Sequence, residues 1–318
     1  MEIFEKVNTA YAMKRERAYE EAARRESSLH ERFPEFAAID GELRATVSQL
    51  SAAIRRGGPD IRSRIEAVKK RNLELQQERA RLLEARGLPS DYTEPVFECE
   101  KCRDSGYIGT RMCECFRRAL REERYYSAGL GKALEHMTFE TLNPTLAAGK
   151  PEGGVTPREN LAANIEICRT FAANVAKKPQ YLMLFGGTGL GKTHITAATC
   201  RAAIDNGCDV VYDGIQNILR AFREDEQSAA SRYIDCRLLA IDDFGTEYLS
   251  AYSMSVIYNI FNTRMLAERS MLVNSNLELK DMEKRYDKRI QSRILGSFKL
   301  IRFFGEDVRK LLAAGYKG

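Results

Sequence analysis

The chain has 318 residues, 44% hydrophobic and 30% charged, with a formal net charge of +5. That length accommodates one sizeable core and a second small domain, and the charge permits nucleic-acid contact without identifying it. No apolar run approaches the roughly 18 to 20 residues of a membrane span, and the charged amino terminus lacks the core of a signal peptide, so the expectation is a cytoplasmic protein with no membrane partner.

Residues 1–32 read as a charged helix. Beyond it Phe36, Ile39, Leu43, Val47, Leu50 and Ile54 recur at spacings of three and four, which makes one helical face. Gly57, Gly58, Pro59 and Asp60 break the pattern, and a second stripe runs through Ile61, Ile65, Val68, Leu75 and Leu82, with Asn72 and Arg79 at alternate seam positions. Two helices folded back on each other account for both stripes, and the second should stop near Gly87 to Pro89, where glycine suits a C-cap and proline cannot continue the ladder.

Cysteines follow. The chain has eight, and Cys99, Cys102, Cys113 and Cys115 crowd into one short stretch around RDSGYIGTRM, whose glycines allow turns. Soft thiolates this close suit tetrahedral Zn²⁺, although the Cys-x-Cys pair is tighter than the common Cys-x2-Cys; buried free thiols or a redox pair are the alternatives. Cys168, Cys200, Cys208 and Cys236 fall in expected helices and strands and read as core.

From Asn143 to Pro157 the composition turns to Pro, Gly, Thr and Ala, the texture of an exposed connection. Short β-rich runs then alternate with helical stretches: Tyr181 to Phe185, Val210 to Tyr212, Leu238 to Ile241, Met271 to Val273 and Leu300 to Phe303. Such alternation implies an α/β fold, a parallel sheet with helices on both faces. The expected organisation is a helical hairpin over 1–90, a zinc-knuckle module over 91–142, a linker over 143–158 and a nucleotide-binding domain over 159–318.

Gly186, Gly187, Thr188, Gly189, Leu190, Gly191, Lys192 and Thr193 satisfy GxxxxGK[ST] between a strand and a helix, the context the motif requires. Its glycines let successive N–H groups point at phosphate oxygens, the helix N-terminus adds a favourable dipole, Lys192 reaches the β- and γ-phosphates and Thr193 ligates Mg²⁺. Downstream, Leu238 to Ile241 form an apolar strand ending in Asp242 and Asp243. Asp242 is placed to hold Mg²⁺ through water, and Asp243 to orient the attacking water. ATP, Mg²⁺ and Zn²⁺ are therefore the expected cofactors.

These ordered motifs, GGTGLGKTH and LLAIDDFGTE, followed by MLVNSNL and RIQSRILGSF, resemble the AAA+ helicase loaders of the DnaC and DnaI kind and the related IstB transposition ATPases over essentially residues 160–310. The resemblance implies an AAA+ P-loop sheet, with Asn276 rather than Asn274 as sensor 1 and Arg293 as arginine finger, Arg289 being its companion. A finger acts on a neighbour's γ-phosphate, so an ATP-dependent oligomer is implied; a solvated arginine pair is the alternative. Asp243 stands where many AAA+ proteins carry Glu, which implies slow hydrolysis. The short tail after the last strand leaves a minimal or absent lid, and Arg309 within it is near enough in sequence to approach nucleotide.

A hairpin and knuckle ahead of the ATPase resemble the helicase-binding part of DnaI-type loaders, so the implied partners are a hexameric replicative helicase and single-stranded DNA. Phe222, Arg223 and Arg220 offer a ring and positive charge for DNA, with a plain solvated helix as the alternative. A transposition helper on duplex DNA and a non-hydrolysing ATP-binding adaptor are the competing functions.

Overall fold

The structure, a computed structural model, describes residues 2–56 and 61–315. It divides into two compact units, Met1–Leu120 and Arg121–Gly318. No helix among the described residues is long and apolar enough to cross a membrane.

The first unit opens with α1 (Glu2–Arg32), α2 (Pro34–Arg56) and α3 (Ile61–Ala85). Along α1, Val7, Tyr11, Ala18, Ala22 and Leu29 recur at helical spacing and are buried, while charged residues cover the remaining surface. α2 and α3 run antiparallel, and the residues expected in the seam do meet: Asn72 Nδ2 donates to Thr46 Oγ1 at 2.6 Å, and Arg79 Nε donates to Asp40 Oδ1 at 2.7 Å. Gly87, at φ +67°, closes α3 as a Schellman cap, its N–H on Glu84 O and that of Leu88 on Leu83 O. Leu88 then packs on Leu29, Phe36 and Leu83 at this end of the bundle. Toward the other end the apolar stripe is not core, since Val47 and Ile54 are 63% and 58% exposed, as is Leu73 beside it at 57%. The expected break at Gly57 to Asp60 lies outside the described residues.

Between the two cysteine pairs, a two-stranded antiparallel ribbon of β1 (Tyr107–Ile108) and β2 (Arg111–Met112) leads into α4 (Glu114–Ser127). Phe116 on α4 is fully buried against Val7 and Tyr11, with edge-on ring contact to Tyr11 at 4.9 Å.

The second unit holds α5 (Pro157–Asn174), β3 (Tyr181–Phe185), α6 (Lys192–Asp205), β4 (Val210–Gly214), α7 (Ile215–Glu224), α8 (Glu226–Tyr233), β5 (Leu238–Phe244) and α9 (Ala251–Leu266). It continues with β6 (Ser270–Ser275), α10 (Leu279–Arg285), α11 (Lys288–Ser297), β7 (Lys299–Arg302) and α12 (Val308–Ala313). The expected strands form one parallel five-stranded sheet in the order β4-β5-β6-β3-β7. Alternation places Leu182 and Leu184 in the core beneath α5 and α6, and Met183 and Phe185 in the core on the opposite face with α7 and α9. Because β3 lies between β6 and β7, the loop after it emerges in mid-sheet, where open α/β sheets bind ligands.

One expectation changes. The segment 128–158, expected as the end of the knuckle module up to 142 and an exposed linker over 143–158, lies within this unit as one strap, of which residues 150–155 are exposed, and the division between units falls earlier, inside α4. Ala128, Leu130 and Phe139 are buried in the sheet's core, and Leu142 and Ala147 pack against it. Proline and asparagine build a tight turn as readily as a linker: Asn143 caps the 3₁₀ turn Pro144–Leu146 by accepting from Thr145 N. Thr156 and Glu159 then form a reciprocal capping box that starts α5.

Candidate nucleotide site and cysteine knuckle

Gly186, Gly189 and Gly191 have φ of +134°, +73° and +84°, which only glycine adopts readily. The first is also required by space, since a Cβ there would lie 2.0 Å from Phe303 O. Gly187 and Thr188 face solvent, whereas Leu190 turns inward and joins the core, anchoring the loop's middle. Gly191 is the N-cap of α6, so Lys192 is that helix's first residue. The Lys192 side chain is buried, with Nζ donating to Gly186 O at 2.9 Å and Gly187 O at 2.6 Å. Burial pushes this ammonium down to about 8, opposed by the charges of Asp243 and Asp242. A cation poorly served by water and held only by carbonyls, inside a loop of glycines at a helix N-terminus, fits a polyphosphate.

Asp242 lies on β5, buried, with Oδ1 at 3.4 Å from the Thr193 hydroxyl and 2.9 Å from the Asp243 N–H. Thr193 and Asp242 are thus brought together as a pair that could hold Mg²⁺. Asp243 lies within the register shift between Ile241 and Phe244 in the β5–β6 ladder and has φ of +54°, an uncommon conformation for a non-glycine residue. Desolvation first, and then the Asp242 charge, raise its carboxyl above the ordinary value, while Asn276, Lys192 and Arg309 pull it down. A carboxylate whose proton affinity is raised suits a group that receives a proton.

The two asparagines divide the space around this pair. Asn276 Nδ2 donates to Asp243 Oδ1 at 3.1 Å. Asn274 is buried deeper, accepting from Asp243 N at 3.1 Å and donating to Thr196 Oγ1 on α6 at 3.2 Å, so it ties strand β6 to both the acidic turn and the phosphate-loop helix. Both asparagines thus touch Asp243, one at its carboxylate and one at its backbone.

Residues not singled out in sequence also support the turn. Glu247 is buried; it accepts from Gly245 N at 2.8 Å and from the Tyr286 hydroxyl, and Arg285 donates to its carbonyl. Tyr286 also stacks on Phe244 at 4.7 Å. Tyr286 immediately precedes Asp287, the N-cap of α11, so the acidic turn is tied to the start of the helix carrying Arg289 and Arg293. Tyr212 on β4 donates to Asp242 Oδ2. A tyrosine in a β-rich run reads as core from sequence, and nothing in its spacing singles it out.

Arg293 donates to Asn262 on α9, and Arg289 pairs with Asp287 and lies 5.0 Å over the Tyr258 ring. The partners the structure gives them are not phosphate-loop groups. Arg309 does come near: Val308 N donates to Gly189 O at 3.1 Å, seating the start of α12 on the loop, and the Arg309 charge acts on both Lys192 and Asp243. The strap reaches the same region, with the Thr138 carbonyl 2.8 Å from His194 Nε2 and Thr141 Oγ1 3.1 Å from it.

The cysteine cluster closes as expected in the first unit. The sulfurs of Cys99, Cys102, Cys113 and Cys115 all lie within 4.8 Å of one another, with Cys102 to Cys115 at 3.5 Å and Cys99 to Cys113 at 3.9 Å. Tetrahedral Zn–S bonds of about 2.3 Å place sulfurs roughly 3.8 Å apart, so the set fits the ion. The loop is built for it: Asp104 accepts from the N–H groups of Glu98 and Cys99, both at 2.9 Å, and Gly106 turns at φ +78°. Cys113 N then donates to Gly106 O at 2.8 Å, bringing the second cysteine pair back. The Tyr11 hydroxyl bonds the Cys115 sulfur from α1.

The residues expected to meet DNA are corrected in part. Phe222 is buried in the sheet's core beside Tyr233, because α7 turns its apolar face onto β4 and β5; its ring is closed to a nucleobase. Arg223 instead lies over Tyr252 at 5.8 Å, and Tyr248, on the turn after the acidic pair, and Tyr252, in the first turn of α9, are 89% and 42% exposed.

Residues 164–299 match the family described as IstB-like ATP binding protein. The replicative helicase loader DnaC of Escherichia coli (strain K12) is 24% identical over 202 residues, 60% of this chain and 77% of DnaC. The chromosomal replication initiator protein DnaA of Aliarcobacter butzleri is 30% identical over 133 residues, which covers 38% of this chain and only 28% of that protein. Among solved structures, the crystal structure of the DnaC helicase loader superposes with a TM-score of 0.46 at 18% identity, over 55% of this chain and 100% of that one. The crystal structure of DnaI gives 0.42 at 20% identity, over 53% and 95%. Residues 164–299, within the second unit, are therefore an IstB-like ATP-binding domain, homologous to the DnaC helicase loaders and to DnaA.

Proposed function

We propose that this protein is an ATP-dependent loader of a hexameric replicative helicase onto single-stranded DNA, working as a slow ATPase switch in the cytoplasm. The observation that carries the reading is the pairing of a complete nucleotide site with a separate helical and cysteine-knuckle unit, in a chain whose DnaC relative is matched over 77% of its length. Bound Mg²⁺-ATP would supply the cleavable phosphoanhydride and the charge that closes an oligomer. Gly186 to Thr193 bind the phosphates, Lys192 neutralises them, and Thr193 and Asp242 hold the ion's ligand sphere. Asp243 receives the proton of the attacking water, oriented with Asn276. Arg293 is free of the phosphate loop in its own subunit, which suits a finger offered to a neighbour.

Cys99, Cys102, Cys113 and Cys115 hold Zn²⁺, which pins the knuckle as a structural ion. The hairpin's exposed Val47 and Leu73 suit an apolar contact with the helicase. Tyr248, Tyr252 and Arg223 replace Phe222 as the group supplying rings and charge to a single strand.

The IstB-like match keeps a second reading, a transposition helper on duplex DNA. Mixing the full chain with the replicative helicase of its own organism, with ATP and single-stranded DNA, separates the two. A stoichiometric complex that deposits helicase on the strand is expected. No complex, with ATP-dependent filaments on duplex DNA instead, sinks the loader reading, and ATP turnover unchanged in Asp243→Ala would favour a non-hydrolysing adaptor.

A further inference from the structure

The phosphate-loop side of Asp242 engages only one of its carboxylate oxygens. Oδ1 faces the Thr193 hydroxyl and the Asp243 N–H, while Oδ2 accepts from the hydroxyl of Tyr212 on the neighbouring strand. The sheet register explains the reach. Tyr212 pairs with Ala240 and Gly214 with Asp242, so Tyr212 and Asp242 are diagonal neighbours on one face. Diagonal positions are roughly 7 to 8 Å apart, a gap that a phenol spans and a shorter side chain does not. The small Ala240 opposite Tyr212 leaves that path open. Both partners are buried, so the bond is shielded from water.

The backbone of Tyr212 is held as firmly as its ring. Its N–H donates to Ala128 O at 2.7 Å, and Gly129, at φ +94°, approaches so closely that a Cβ there would lie 2.1 Å from Tyr212 O. The strap preceding the ATPase core therefore rests on the residue that grips the acidic strand.

We propose that Tyr212 is a positioning residue for the magnesium ion of the nucleotide: its hydroxyl fixes Asp242 so that Oδ1 stays turned toward Thr193, and residues 128–130 fix the strand from which it does so. The inference rests on the nucleotide-site reading above. A carboxylate released from this bond presents either oxygen, so the ion-dependent part of nucleotide binding weakens while the phosphate-loop part stays.

The test uses the full chain and a fluorescent ATP analogue, titrated in EDTA and across a Mg²⁺ series. For Tyr212→Phe, affinity in EDTA stays within about twofold and the half-saturating Mg²⁺ concentration rises about tenfold, the usual scale for losing a hydrogen bond to a charged group. Asp242→Asn raises it at least as far, and adding Tyr212→Phe to Asp242→Asn changes nothing more, because the tyrosine acts through that carboxylate. Unchanged Mg²⁺ dependence in Tyr212→Phe, or a further loss in the double variant, overturns the proposal. So does a loss of affinity in EDTA, which would make Tyr212 a structural residue only. A wild-type chain that binds Mg²⁺-ATP yet engages no helicase would defeat the loader reading and leave this measurement intact.

Discussion

The two units of this molecule are stabilised by different means. The second is a parallel sheet with a dry apolar core on each face, built from Leu, Ile, Val, Met and Phe. The first has small apolar clusters around Phe116 and around Phe36, and between them relies on a polar seam and four thiols. A helical unit with so little apolar core gains from a staple. The contrast predicts that the sheet tolerates acid and chelator better than the helical unit, whose contacts are polar groups and a thiol cluster proposed to hold zinc.

The strongest way to break the comparison is to remove the zinc proposed for the four cysteines. A structural zinc contributes on the order of 10 kcal/mol. Stripping it with a strong chelator, or replacing Cys102 with serine, should abolish hydrogen-exchange protection around residues 99–120 and leave nucleotide affinity within twofold; equal loss in both units would refute the division. Next comes the seam. Removing one partner of a buried ion pair costs about 3–5 kcal/mol, so Arg79→Met should unfold the α2–α3 pair at a lower denaturant concentration than the sheet.

The same pair sets an acid limit. Burial alone would raise the Asp40 carboxyl, but its hydrogen bonds from Arg79 and His30 bring it below its ordinary value. A depressed carboxylate contributes stability that is full above the unfolded value of about 3.9 and lost as pH falls through the folded value. Hairpin helicity should therefore drop as pH is taken below about 4, and Asp40→Asn should remove most of that dependence.

At the nucleotide site the sign is reversed. Lys192, pushed down to about 8 without nucleotide, must be protonated to meet phosphate. Affinity for ATP should be flat below that value and fall above it, by up to about tenfold per pH unit; a flat profile to pH 9.5 would show that the lysine is charged throughout. The smallest effect belongs to Tyr286→Phe, which strands a buried carboxylate on Glu247 and should cost about 1–2 kcal/mol in thermal unfolding.

Much of the site could be read in the chain because its chemistry is local. The phosphate loop occupies consecutive residues from Gly186 to Thr193, and its need for glycine is visible in the letters themselves. The knuckle cysteines and the Gly87 cap are legible for the same reason, as spacing within a turn dictates their geometry. Phe222 was misread because the four residues around it suit either a core face or a DNA-facing one, and only packing against Tyr233 decides. The strap was misread because proline-rich composition does not distinguish a linker from a set of tight turns lying on a core.

Sequence alone determined the alternation of strands and helices, the phosphate loop, the acidic pair and the cluster of four thiols, since each depends on periodicity or on neighbours along the chain. Tertiary structure decided what those groups touch. That Tyr212 holds Asp242 and that Asn274 meets the backbone of Asp243 follow from strand order and register, that Asn276 reaches the Asp243 carboxylate follows from the turn after β6, and that Arg293 turns to Asn262 follows from the packing of α11 on α9. The physical reason is that a parallel sheet and the helices on it bring together residues far apart in sequence, and a shift of one residue in register would turn Tyr212 and Asp242 to opposite faces.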